Sequence, residues 1–154
     1  MSLVRWNMNH GRPDMQNTRL DELADTFEML GEWEERYRYL IDLGRRLPPL
    51  TDAEHSEANK VRGCMSQVWL VGDRSSDAPP KLKFRGDSDA HIVKGLIAVL
   101  LALYSERSPR EILDTDIGEA FTKLGLEGHI TMNRRNGFYS MVEKIREMAA
   151  AEID

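Results

Sequence analysis

Apolar positions early in the chain recur with helical spacing. Leu20, Leu23, Phe27 and Leu30 fall on one face of a helix that Thr18 is placed to cap. Gly31 breaks the pattern. Trp33, Tyr37, Leu40 and Ile41 then repeat at i, i+4, i+7 and i+8 against a charged face, and Gly44 with Pro48-Pro49 closes this second helix. The polar stretch before Thr18, with Gly11 and Pro13, reads as a flexible lead-in over residues 1–17, ahead of a single domain over residues 18–154.

The period then changes. The polar segment "LTDAEHSEANKV" predicts a turn and a first strand near Asn59 to Val61. "QVWLV", Gln67 to Val71, is β-branched and aromatic, and "KLKFRG", Lys81 to Gly86, alternates with a period of two. The turn-rich "GDRSSDAPP" joins them, so a small antiparallel sheet is expected. From Ile92 to Tyr104 apolar residues occupy nearly every face, as in a buried central helix, with Ser88 or Asp87 as its cap and Asp89 in its first turn. Ser108, Pro109 and Glu111 form a second start signal at N-cap, N1 and N3. "IGEAFTKLG" predicts a short helix stopped by Gly125. A last helix from about Arg134 to Ala151 turns Phe138, Met141, Val142, Ile145 and Met148 inward. The order is α-α-β-β-α-α-α, an α+β class with helices packed on one face of a small antiparallel sheet. Trp69 is expected in the core with the aliphatic helix.

Composition narrows the function classes. A chain of 154 residues suits one domain with one core. The net charge of −5, with basic clusters no longer than "GRR" and "NRR", argues against a general nucleic-acid role. The apolar run Gly95 to Tyr104 falls short of the roughly 20 residues a membrane span needs. The first residues lack a continuous apolar signal region, so a cytoplasmic protein is expected. The single cysteine, Cys64, excludes an internal disulfide, CxxC redox chemistry within the chain and a cysteine-rich zinc site.

Cys64 carries the candidate chemistry. A free cysteine is often simply a small buried hydrophobe. Here Gly63 marks a tight backbone position, Arg62 and Lys60 are cations able to favour a thiolate, and Ser66 and Gln67 are polar. A loop between strands is also a common place to display functional side chains. Packing and reactivity both remain open on these grounds. His10, His55, His91 and His129 show no protease-like context for a Cys-His pair. There is no P-loop, no G-x-G-x-x-G, and no H-E-x-x-H or H-x-x-E-H metal spacing.

The blocks "WEERYRYLIDLGRRLPPL", "RGCMSQVWLV", "FRGDSDAHIVKGLIAVLLALYS", "SPREIL" and "NRRNGFYSMVEKIR" resemble the SufE family, in the family's order and over nearly the whole chain from Leu20. Met65 departs from the glutamine usual after the cysteine. The resemblance implies an IscU-like α+β fold. It implies that Cys64 takes sulfane sulfur, as a persulfide, from a PLP-dependent cysteine desulfurase (SufS-like or related). It further implies that the protein stimulates that enzyme and passes the sulfur to an iron–sulfur scaffold. No metal or cofactor of its own is required, and neither nucleic acid nor membrane is an expected partner. The family cysteine sits at a loop tip, turned into an apolar cavity when the protein is alone. Gly63 is then a candidate hinge, and Arg62, Met65, Ser66 and Gln67 line the loop. Arg134 matches the family's arginine before the last helix. A cation is unfavourable at a helix start, which gives weight to a specific role for Arg134 or Arg135. Asp87 and Asp89 match the family's "GDSDA" motif, with helix capping and partner contact as competing roles. A different class stays open: a non-catalytic adaptor for such an enzyme, its cysteine structural. Thiol redox sensing is disfavoured by the lack of a resolving cysteine. The apolar positions are absorbed by core helices, so a monomer is expected.

Overall fold

The computed structural model describes residues 12–153. In chain order it contains α1 (Arg12–Leu30), α2 (Trp33–Arg45), a short 3₁₀ turn (Glu57–Asn59), β1 (Val68–Arg74), β2 (Leu82–Ser88), α3 (His91–Tyr104), α4 (Pro109–Leu113), α5 (Ile117–Lys123) and α6 (Met132–Ala150). The class is α+β as expected. The capped "SPREIL" start opens a separate helix of five residues, which adds one helix to the predicted order. α1 begins at Arg12, ahead of the expected Thr18 cap. The rest of the expected lead-in, residues 1–11 with His10, lies outside the described residues.

The hairpin is antiparallel, with Val68 opposite Ser88, Leu70 opposite Gly86 and Gly72 opposite Phe84. Val68, Leu70, Leu82 and Phe84 are buried on the inner face, where α3 and α6 pack. Trp69, Val71, Arg85 and Asp87 point the other way, because side chains alternate along a strand. The segment at Asn59 to Val61, expected as a strand, makes only a bridge from Lys60 to Trp69 and a Val61 N–H to Val68 carbonyl bond of 2.8 Å. β1 instead runs on to Arg74, through residues expected in the connector.

Helix α3 is the buried centre, with Val93, Leu96, Ile97, Val99, Leu100, Leu103 and Tyr104 all inside. Gly44 does not end α2, as the sequence suggested, but lies inside it where α2 meets α3. A β-carbon at Gly44 would sit 2.7 Å from the Gly95 nitrogen, and one at Gly95 would sit 2.3 Å from the Leu40 carbonyl oxygen. The two backbones therefore approach as closely as they do because both positions lack side chains. α6 closes the core with Phe138, Met141, Val142 and Ile145 buried, and Phe121 packs 5.1 Å from Phe138. Among the described residues no helix is long and apolar enough to cross a membrane.

Two further expectations are corrected. Ser88 belongs to β2 and Ala90 is the cap position of α3; the Ser88 hydroxyl accepts the Ala90 N–H at 3.2 Å. Trp69 is half-buried on the outer face of the hairpin, edge-on to His55 at 4.7 Å, rather than in the core.

Candidate functional site

Residues 62–67 form a loop pinned at its base. The Val61–Val68 bond closes one side. On the other, the Gln67 N–H donates to the Asp89 carboxylate at 3.0 Å, and the Asp89 N–H returns to the Gln67 carbonyl at 3.3 Å. Asp89 thus anchors the loop rather than capping α3. Gly63 has φ of +88°, a conformation that side-chain-bearing residues rarely adopt. It also abuts α6, since a β-carbon there would lie 2.7 Å from the Ser140 hydroxyl.

Cys64 follows with its side chain turned inward and half-buried. Its sulfur lies 3.6 Å from the Gly137 carbonyl oxygen on α6 and lines a cavity of about 250 Å3. Val68, Val93, Leu96, Phe138 and Met141 form the apolar walls, and Met65, Ser66, Thr131, Asn133 and Arg134 complete the lining. Three separate elements supply the walls: the start of β1, the first turns of α3 and the first half of α6. Burial pushes the Cys64 thiol above its ordinary pKa. The S–H can donate to the Gly137 carbonyl; a thiolate would face that oxygen's lone pairs. The resting group is therefore a protected thiol.

Arg62 does not act on it as expected. Its side chain is 82% exposed and leans toward Glu57 at 3.9 Å, and burial alone dominates the thiol. Arg134 and Arg135 separate in role. Arg135 is half-buried and donates to the Glu127 carbonyl at 3.0 Å, holding the turn ahead of α6. Arg134 is exposed at the cavity, with no carboxylate partner among the described residues. Its backbone N–H is capped by the Thr131 hydroxyl at 3.3 Å.

Asp87 is not at the cavity. It lies on the outer face of the hairpin, bonded to His55 Nε2 at 2.7 Å, with Lys94 at 3.5 Å. Burial disfavours its ionised form, but His55, the Ser88 N–H and Lys94 together hold its pKa below the ordinary value. The hydrogen bond to Asp87 raises the pKa of His55, and the Thr51 carbonyl accepts from its other nitrogen at 2.8 Å. Both ring nitrogens thus face acceptors, the arrangement that suits an imidazolium. Arg85 reinforces the same strap with a two-pronged pair to Glu54, at 3.0 and 2.6 Å. These bonds fold residues 51–56 over the outer sheet face, opposite the thiol. Among the described residues no group of three or more His, Cys, Asp or Glu side chains is placed to hold a metal ion.

Sequence reasoning missed Gly137, Ser140, Thr131 and Asn133. Gly137 had a readable signal, because a glycine within a helical run costs about 1 kcal/mol against alanine and asks for a reason. A β-carbon at this position would meet the Cys64 sulfur at 3.4 Å, an ordinary contact that covers the thiol further.

The profile of the SufE family, described as an Fe-S metabolism associated domain, matches residues 21–149. An uncharacterised SufE-like protein of Rhizobium etli is 50% identical over 131 residues, covering 84% of this chain and 88% of that protein. Another, of Rhizobium meliloti, is 45% identical over 137 residues, covering 88% and 98%. In fold the chain is similar to the solution structure of a hypothetical protein from Thermus thermophilus. The TM-score is 0.71 at 20% identity, over 87% of this chain and 95% of that one.

Proposed function

The chain belongs to the SufE family, whose domain is associated with Fe-S metabolism, and from that premise we propose that it is a sulfur acceptor that carries a persulfide on Cys64. The donor is a PLP-dependent cysteine desulfurase in the cytoplasm, and the sulfur goes on to an iron–sulfur scaffold. The observation that carries this reading is the lone thiol held at an apolar cavity, in a pinned loop beside Gly63 with its φ of +88°.

The chemistry is an exchange with no net oxidation. The Cys64 thiolate attacks the outer sulfur of the donor's persulfide. The donor S–S bond breaks, its inner sulfur leaves as a thiolate, and Cys64 becomes the persulfide. At rest the raised pKa keeps Cys64 protonated and quiet. Moving the loop out of the apolar walls removes the burial that raised it, so the thiolate forms where the donor is. On return, the cavity shelters the sulfur from water and stray thiols. Its 250 Å3 exceeds the roughly 30 Å3 a water molecule occupies several times over, which leaves room for one added sulfur. Draining the donor's persulfide is how such a carrier raises desulfurase turnover.

The test mixes the protein with a cysteine desulfurase and free cysteine. Intact mass should rise by one sulfur at Cys64, and alanine production should increase. A protein that gains no sulfur and leaves alanine production unchanged would exclude the carrier role. The adaptor reading is favoured by the same raised pKa and Gly137 contact, which also suit a structural thiol. Cys64→Ser separates them: a carrier loses its stimulation of the enzyme, and an adaptor keeps it.

A further inference from the structure

The strap over the outer face of the hairpin is held at two neighbouring points of different chemistry. At Glu54 the two-pronged pair persists across the neutral range, because the Arg85 guanidinium holds the Glu54 carboxyl down at about 2. One residue later, the bond from His55 to Asp87 depends on a proton, since histidine is the side chain that changes charge between about pH 5 and 8. The groups facing its ring come from several elements. Asp87 of β2 accepts from Nε2 at 2.7 Å, and the Thr51 carbonyl of the strap accepts from Nδ1 at 2.8 Å. The Trp69 ring of β1 lies edge-on at 4.7 Å. Asp52 adds a negative charge from the strap, and Lys94 of α3 shares Asp87 at 3.5 Å. The bond to Asp87 leads in raising the His55 pKa above its ordinary 6.5.

Trp69 and Asp87, the two side chains that His55 touches, are paired across the hairpin. They sit where both strands meet the thiol loop. On the entry side, the Trp69 backbone bridges Lys60, two residues before Arg62. On the exit side, Asp87 accepts the Ser88 N–H at 2.8 Å, and Asp89 next along holds the Gln67 N–H at 3.0 Å. The His55 ring therefore spans the base of the loop from the face opposite the thiol.

We infer that His55 is a proton-operated clamp on the base of the Cys64 loop: its protonated ring locks Trp69 and Asp87 together and keeps the thiol in its cavity, and loss of the proton frees the loop to extend. Linkage gives the sign. The clamped form binds the proton more tightly than the released form, so falling pH favours it. The Glu54–Arg85 pair keeps the strap on the sheet in both forms, which confines the change to residue 55 and the loop base. The clamp governs access to the thiol and holds for carrier and adaptor alike. Under the carrier reading above, it eases loading and unloading of Cys64 as pH rises through the His55 titration.

The test is alkylation of Cys64 by iodoacetamide in the folded full chain, from about pH 5.5 to 8.5, with His55→Gln beside the wild type. Ionisation of the thiol affects both proteins alike, so the ratio of their rates isolates the loop. At the acid end the wild type should react about two- to fivefold more slowly than His55→Gln, the reach of a partly exposed ion pair. The ratio should rise toward one, with the midpoint that NMR gives for the His55 ring. In Asp87→Asn, which keeps the histidine, the acid-end protection should shrink and its midpoint fall. The wild type alone supplies a readout free of any folding defect: the Gln67 amide resonance should move with the His55 midpoint. A ratio that stays constant across this range overturns the clamp, as does a Gln67 amide that does not follow His55. A wild type that reacts faster than His55→Gln at the acid end overturns it too. None of these outcomes bears on sulfur transfer, which the mass test above decides by itself.

Discussion

The Cys64 sulfur packs over the α6 backbone at Gly137, 3.6 Å from its carbonyl oxygen. A β-carbon there would lie 3.4 Å from the sulfur, an ordinary contact but one that fills the gap on that side of the thiol. Gly137→Ala should therefore raise stability, by about 0.5–1 kcal/mol from helix propensity, as read by urea denaturation. It should also slow alkylation of Cys64, because the thiol is covered further. A faster alkylation rate would show that the loop had been pushed off α6 instead.

Gly63→Ala acts in the opposite sense. Its φ of +88° is strained for alanine, and the new methyl group would meet the Ser140 hydroxyl at 2.7 Å. A loss of about 1–2 kcal/mol is expected from the left-handed conformation, concentrated in the loop. Cys64 should then react faster with a thiol reagent, since the inward position is the one destabilised. Unchanged reactivity would separate the turn at Gly63 from the shelter of the thiol.

The pH dependence of the thiol follows from its burial. Its pKa lies above the ordinary value, so alkylation should be slow near neutrality and still climbing beyond pH 9. In urea the profile should shift down to that of a free cysteine. The native thiol stays protonated after the unfolded one has ionised, so stability should fall as pH rises through the unfolded thiol pKa toward the native one. A native profile that levels off below pH 9 would contradict the burial argument.

The strap over the outer sheet face titrates separately. His55 has its pKa raised by Asp87, so the pair's contribution is complete below the ordinary histidine value and is lost as pH rises through the raised one. NMR titration of the His55 ring should give a pKa above 6.5 in the wild type and a lower one in Asp87→Asn. Equal values would mean that the 2.7 Å contact does not hold in solution.

The close crossing of α2 and α3 can be tested through Gly95→Ala. The added carbon would lie 2.3 Å from the Leu40 carbonyl, which is backbone and cannot rotate aside. A loss of about 3 kcal/mol is expected, at the upper end of overpacking costs. Chemical denaturation measures it directly.

Much of this protein was legible from periodicity alone. The β-branched, aromatic stretch around Leu70 and the period-two stretch around Phe84 became the hairpin, and the continuous apolar run after Ile92 became the buried helix α3. The box of Ser108 and Glu111 also formed, because local capping needs only near neighbours in sequence. Cys64 was identifiable as the candidate reactive group, since a lone thiol beside a glycine and two cations is a local pattern. What pattern could not supply was proximity across the chain. Gly44 looked like a stop signal and proved to be a crossing point, because its partner Gly95 lies in another helix. Asp87 and Asp89 looked like one capping motif, yet the pleat sends Asp87 to the outer face with His55, while Asp89 turns back to hold Gln67. The shelter around Cys64 is built from Val68, Val93, Leu96, Phe138 and Met141, on three elements far apart in sequence. Spacing along a chain determines which residues share a face of one helix or strand; only packing those faces together decides that an apolar cavity forms at the thiol and raises its pKa.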